Sequence, residues 1–264
     1  RDHLNRYASL KHYALTKANI FKNQTRNDLL ILNKENPWTK FFLKQSANLL
    51  SRGYGEANPR TKARILFFTK KIPFLDARSF AKIWGEHNLE NLAAAIIAAT
   101  KFGVPKEKII KTIPSLPQIK FRQELIYKKG EVEIYNDTAA TSPEATMAAV
   151  ERFGSQKKNL ILITGGTDRE LDFLSWAKII RKYVTPRNII FLDGSATRKM
   201  KKELKLRRTQ TFNSLKKCLN LAVKLVKKNK SIILFSPGSK SFEKFKNEYD
   251  RRERFNKLVG RLKY

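Results

Sequence analysis

The chain has 264 residues, 41% of them hydrophobic, and 55 Lys and Arg against 23 Asp and Glu, a formal net charge of +32. Such a length buries a sizeable core and suggests two domains, while the modest Gly and Pro content excludes a low-complexity chain and LAAAIIAAT is too short to span a bilayer. The charge favours phosphate-bearing partners, but the basic residues are spread along the chain without zinc-finger spacing, a basic zipper or an RNA-recognition signature, so a specific nucleic-acid reader ranks below an enzyme with a lysine-rich surface.

The first 118 residues alternate irregularly between types. Helical spacing over 9–23 leads to a strand LLILN at 29–33, a short helix near 38–49 and a strand in ARILFFT at 63–69. GEHN at 85–88 precedes a long apolar-faced helix that Gly103 ends, and VPKEKIIKTIPSLP adds a short helix closed by prolines. The boundary is placed there, giving 1–118 and 119–264.

The second part is regular. β-rich runs VEIY, NLILIT (159–164), NIIFLD (188–193) and SIILFS (231–236) alternate with helical spacing over 144–153, 172–183, 196–204, 213–228 and 242–262. Apolar runs with little alternation read as strands buried on both faces, and the helices between them as the crossovers of a parallel sheet. The expected fold class is therefore α/β, with a doubly wound, Rossmann-like second domain. Cys218, the one cysteine, lies on an apolar position of an expected helix, as a buried thiol in a reducing cytoplasm would. In doubly wound sheets ligands gather at the carboxyl ends of the strands. Here those ends read YNDT, TGGTDRELD, LDGSAT and SPGSKS. Gly, Asp, Ser and Thr also make ordinary turns and caps, the reading preferred for LDGSAT. In YNDTAATSPEAT (135–146), Ser142 is expected to cap a helix with Pro143 in its first turn.

Taken in order, DHLNRY (2–7), GEHNLEN (85–91), FRQE (121–124), YNDTAAT (135–141), GGTDRELDF (165–173) and the block from Ser236 to Phe255 resemble the Mur ligases of peptidoglycan synthesis. The likeness runs along nearly the whole chain and is to the D-glutamate-adding branch. It implies that 1–118 is the latter part of a central ATPase domain and 119–264 a complete C-terminal, amino-acid-binding domain. The implied reaction joins D-glutamate to UDP-N-acetylmuramoyl-L-alanine with ATP and Mg²⁺, through an acyl phosphate, in a cytoplasmic monomer without membrane or specific nucleic-acid partners. No GxxxxGK[ST] sequence occurs, and the chain opens Arg-Asp-His without Met or a signal pattern. It therefore reads as a fragment, inactive alone, with its phosphate-binding loop upstream.

The resemblance also implies roles for individual residues. His3 matches a Mg²⁺-ligating histidine, and Lys17 a lysine that CO₂ carbamylates into an oxygen ligand for Mg²⁺. On residue type alone these would be a surface histidine and one more solvated charge. Asn91 matches the position that holds the adenine end of the nucleotide, with His87 and Asn88 only capping the helix. Arg122 is implied toward phosphate and Asp137 toward ribose. Thr141, Arg169, Ser241 and Phe242 are implied around D-glutamate, although Phe242 equally fits a core position of the last helix. The chain departs from the usual family pattern at Ala139, where a lysine is common, at Arg169 in place of lysine, at Arg252 in place of glycine, and at Gly238 and Lys240. Other amino-acid ligases of the superfamily, including folylpolyglutamate synthases, carry a His or Asn that DTAATSP lacks. They and a noncatalytic basic phosphate-binding module are the alternatives.

Overall fold

The computed structural model describes residues 7–25, 27–48, 64–156, 158–168, 170–206, 209–226, 230–240 and 245–262. The chain splits into two compact units, Arg1–Leu116 and Pro117–Tyr264.

In the first unit α1 (Leu10–Ala18) starts at Ser9, whose hydroxyl accepts from the His12 amide at 3.1 Å, and runs on as a 3-10 turn over Asn19–Phe21. The expected helix over 9–23 is thus shorter. Strands β1 (Leu29–Asn33) and β2 (Arg64–Phe68) pair in parallel, and α2 (Thr39–Asn48) lies between them in sequence. Then come α3 (Ala77–Trp84), α4 (Asn88–Lys101) and α5 (Lys106–Thr112). Sequence reading missed α3, which Asp76 caps by accepting from the amides of Arg78 and Ser79. The core of this unit is helical: Phe80 of α3 packs with Leu89, Leu92, Ala93 and Ile96 of α4 and Ile109 of α5.

The second unit holds a six-stranded sheet in the order β3-β4-β8-β5-β6-β7, formed by Glu124–Lys129, Val132–Asn136, Ser231–Phe235, Asn159–Thr164, Ile189–Leu192 and Gln210–Phe212. Only β3 is antiparallel, a hairpin partner of β4; every other neighbour pair is parallel. The crossovers are α6 (Pro143–Gly154), α7 (Leu174–Tyr183), α8 (Ser195–Leu204) and α9 (Leu215–Lys224), and α10 (Glu248–Val259) closes the chain.

Period-2 alternation divides the strand side chains between two cores. Leu160, Leu162, Phe191, Ile232 and Leu234 pack under α6, α7 and α8 with Phe153, Trp176 and Met200. Ile161, Ile163, Ile190, Ile233 and Phe235 pack under α9 and α10 with Leu219, Cys218, Phe255 and Val259. This two-sided burial is what the continuous apolar runs predict. Ser142 caps α6 and Pro143 occupies its first turn, as the sequence suggests. The expected last helix begins later within the described residues, because Asn247 caps α10 through the Asp250 amide at 2.9 Å.

Candidate functional site

Helices leave β4 and β5 toward one face of the sheet, and α10 follows β8, the strand between them, on the other. Neighbouring strands whose connections part to opposite faces open a crevice at their carboxyl ends. The first residue past β4 is Asp137, which is only 4% exposed. Its amide donates to Phe235 O at 2.9 Å, extending the β4–β8 ladder and fixing the side chain over the crevice. Oδ2 accepts from Ser236 Oγ at 2.6 Å, and Oδ1 from the Gln123 amide at 3.1 Å. Ser236 Oγ also lies 2.8 Å from Thr146 Oγ1 of α6, so the loops after β4 and β8 and the start of α6 share one polar chain. Burial pushes the Asp137 carboxyl up to about 7, against the opposing pull of the Ser236 and Gln123 hydrogen bonds and of the Arg122 and Arg152 guanidiniums. A carboxyl so buried, between hydroxyls and arginines, is suited to exchange its internal donors for those of a polyhydroxyl or phosphate-bearing ligand.

Two further devices shape the crevice. Arg251 of α10 is fully buried, and its guanidinium donates to Ser239 O and Thr138 O, both at 3.0 Å. It ties the loops after β8 and β4 to one helix, and a planar fork is suited to two fixed carbonyls. Gly165 and Gly166, past β5, have φ of 110° and 142°. A Cβ on Gly166 would meet Lys240 O at 2.5 Å, and one on Gly194 would meet Gly166 O at 2.4 Å. The Gly166 carbonyl accepts from the Ala196 amide in the first turn of α8 at 2.9 Å. LDGSAT therefore forms a structural helix start, the role expected for it. Asp168, two residues beyond Gly166, is paired with Lys199 of α8, and its amide donates to the Ser195 hydroxyl at 2.9 Å.

The sequence-predicted residues fall into three groups. Arg122 and Asp137 come together in the second unit, close enough for the guanidinium to act on the carboxyl, and Thr141 lies half-buried at the end of the same loop. In the first unit, Lys17 is exposed on α1 with Nζ 5.4 Å from the Tyr13 ring centroid, and Asn91 is exposed on α4, donating to Asn88 Oδ1 at 3.0 Å. His3, Arg169, Ser241 and Phe242 lie outside the described residues. The capping expected of His87 and Asn88 needs correction. His87 makes no side-chain capping bond to α4, and Asn88 Nδ2 donates to Trp84 O at 2.6 Å, closing the end of α3 instead. The short Gly85–His87 link brings that orphan carbonyl within reach.

Among the described residues no group of three or more His, Cys, Asp or Glu is assembled to hold a metal. Lys17 as an ammonium, resting on an aromatic face, is no ligand; only conversion to an anion would make it one. A cleft of about 610 Å³ in the first unit, lined by Lys70, Lys71, Ile72, Arg78, Glu86 and Leu89 among others, includes none of the predicted residues. Sequence reading missed Gln123, Thr146, Arg152 and Arg251. Ser236 stood in a flagged strand end, but nothing in ERF or DRRERF separates a buried arginine from a solvated one.

The Mur ligase middle domain, as a family, matches residues 1–99. The UDP-N-acetylmuramoylalanine--D-glutamate ligase of Borreliella burgdorferi (strain ATCC 35210) is 32% identical over 267 residues, covering 99% of this chain and 58% of the relative. That of Roseiflexus sp. (strain RS-1) is 29% identical over 289 residues, covering 98% of this chain and 58% of the relative. The chain thus spans 58% of the length of these two curated relatives. The crystal structure of MurF ligase from Thermotoga maritima in complex with ADP aligns with 99% of this chain and 61% of its own, at a TM-score of 0.67 and 16% identity, a likeness of fold. Residues 1–99 thus belong to the Mur ligase middle-domain family, and the chain is similar to Mur ligases along almost its entire length.

Proposed function

We propose that the chain is the greater part of an ATP-dependent ligase that adds D-glutamate to UDP-N-acetylmuramoyl-L-alanine in peptidoglycan precursor synthesis. In this reading 1–118 belongs to the central ATPase domain and 119–264 is the C-terminal, amino-acid-binding domain. The carrying observation is the buried Asp137 at the carboxyl end of β4, with Arg122 and Arg152 acting on it and Ser236 and Thr146 chained to it. It supplies acceptors for ribose hydroxyls and cations for phosphate within one crevice. The curated relatives, named as D-glutamate ligases, supply the substrates.

The free carboxylate of the donor's L-alanyl residue attacks the γ-phosphorus of ATP, the bond from that phosphorus to the β,γ-bridging oxygen breaks, and ADP leaves. The amine of D-glutamate then attacks the acyl phosphate carbonyl, loses a proton, and expels inorganic phosphate to give the amide. Both steps demand rigid positioning of charged groups more than acid–base chemistry. Asn91 takes the adenine end, Arg122 a phosphate, and Asp137 the ribose; Thr141, Arg169, Ser241 and Phe242 receive D-glutamate. Mg²⁺, through His3 and a carbamylated Lys17, would screen phosphate charge when bound. The same reading makes the protein a cytoplasmic monomer without a specific nucleic-acid partner, and these residues inactive without the phosphate-binding loop.

The deciding experiment measures phosphate release by the full-length ligase with UDP-muramoyl donors and a panel of amino acids. D-glutamate-dependent release is expected; release with another amino acid alone, or none with any, overturns the assignment. In the same assay Lys17→Ala is expected to lower kcat on the order of 100-fold, with partial recovery in short-chain carboxylic acids. Undiminished activity without such acids would remove Lys17 from the mechanism.

A further inference from the structure

Arg122 stands between two residues in left-handed conformations, Phe121 at φ 64° and Gln123 at φ 47°. Each costs on the order of 1–2 kcal/mol for a side chain that is not glycine, and such strain persists where the surroundings over-determine it. Five contacts do so here. Phe121 O accepts from the Ala139 amide at 2.9 Å, and the Phe121 amide donates to Glu124 Oε2 at 2.8 Å. The Gln123 amide donates to Asp137 Oδ1 at 3.1 Å, and Gln123 Oε1 accepts from Arg152 Nη1 at 2.9 Å. The Arg252 guanidinium lies 5.4 Å from the Phe121 ring centroid. All five grip the neighbours of Arg122, whose own residue is exposed.

Two members of this set reach from helices, Arg252 from α10 and Arg152 from α6, and Arg152 is the one that hydrogen-bonds the turn. It projects from the last turn of α6, with its guanidinium 4.6 Å from the Phe153 ring centroid and 5.9 Å from that of Tyr135. Packed on two rings, the guanidinium has little freedom, and its bond to Gln123 holds the turn against the sheet. A turn held this way orders an exposed arginine before any ligand arrives, which lowers the entropy lost on binding.

We propose that Arg152 and Gln123 are positioning residues: they hold residues 121–124 in a preformed turn that presents Arg122 to a phosphate group of the nucleotide. This rests on the reading of Arg122 given above and adds how the chain keeps that arginine in place.

Two measurements test it. In the 264-residue chain, hydrogen exchange at the Gln123 and Ala139 amides is expected to quicken about tenfold in Arg152→Ala, the effect of losing one charged hydrogen bond, while the Ile161 and Ile163 amides stay unchanged. In the full-length ligase, Arg152→Ala and Gln123→Gly are each expected to raise KM for ATP about tenfold, because apparent affinity falls with the competent fraction. Arg152→Lys should recover part of it, and Arg152→Ala should add nothing once Arg122 is alanine. Unchanged exchange together with unchanged KM, or an Arg152→Ala defect as large with Ala at 122 as with Arg, overturns the positioning role and leaves the proposed function standing. If Arg122→Ala alters neither KM nor kcat, the phosphate role of Arg122 falls and this proposal with it, whatever the exchange shows.

Discussion

Asp137 sets burial against charge within a single side chain. Burial raises its folded pKa to about 7, above the ordinary carboxyl value of 3.8, so between about pH 4 and pH 7 the folded chain keeps a proton that the unfolded chain releases. Stability contributed by this group is therefore fully present below pH 4, falls as pH rises through 7, and stays low above it. Asp137→Asn mimics the protonated form and should flatten that slope. Thermal midpoints of the two proteins should agree most closely near pH 4 and diverge toward pH 8, with the asparagine variant higher. Parallel profiles across the range would show that the carboxyl titrates normally. Asp137 was legible as a strand-end acid beside Asn136. What the sequence hid was its surroundings: Ser236 lies far along the chain and meets it only when β8 inserts beside β4, and Arg152 meets it only when α6 folds back over the sheet.

Strands buried on both faces declare themselves in sequence, and β4, β5, β6 and β8 were all legible for that reason. The two edges were not. β3 reads ELIYKK, half-buried and tipped with lysines, as a charged edge strand does, and β7 has three residues, too few to show a period. Helix α3 was lost because its capping Asp76 follows the turn-like KKIPFL. At this scale the tightest constraint is the meeting of the loops after β5, β6 and β8 around Gly166. Gly166→Ala would press a methyl group onto Lys240 O and the Ser239 hydroxyl at a left-handed φ. It should cost about 1–3 kcal/mol, read as a lowered denaturation midpoint at unchanged m-value. Gly130→Ala serves as control, since its Cβ would meet nothing within 4 Å and only the φ of 55° is strained. An equal loss in both would show that close approach does not matter at Gly166.

For the molecule as a whole, the charge of +32 was legible and its meaning was not. In α8 and at its C-cap, Arg198, Lys199, Lys202 and Lys205 are exposed, while Met200 and Leu204 are buried, so this basic run is the outer face of a packed helix. Duplex DNA should accordingly bind without sequence preference, and affinity should fall about 10³-fold or more between 50 and 200 mM salt. Fluorescence anisotropy with two unrelated duplexes measures this, and tight binding that survives 200 mM salt and separates the duplexes would restore a nucleic-acid role.

The short β1–β2 pair bears on the chain's fate in a cell. Among the described residues β2 pairs with β1 alone, and its Ile65 and Phe67 are 36% and 43% exposed. Apolar side chains beside unpaired strand amides are what chaperones bind and proteases test. Limited proteolysis is therefore expected to cut the first unit before the second, whose sheet is covered on both faces.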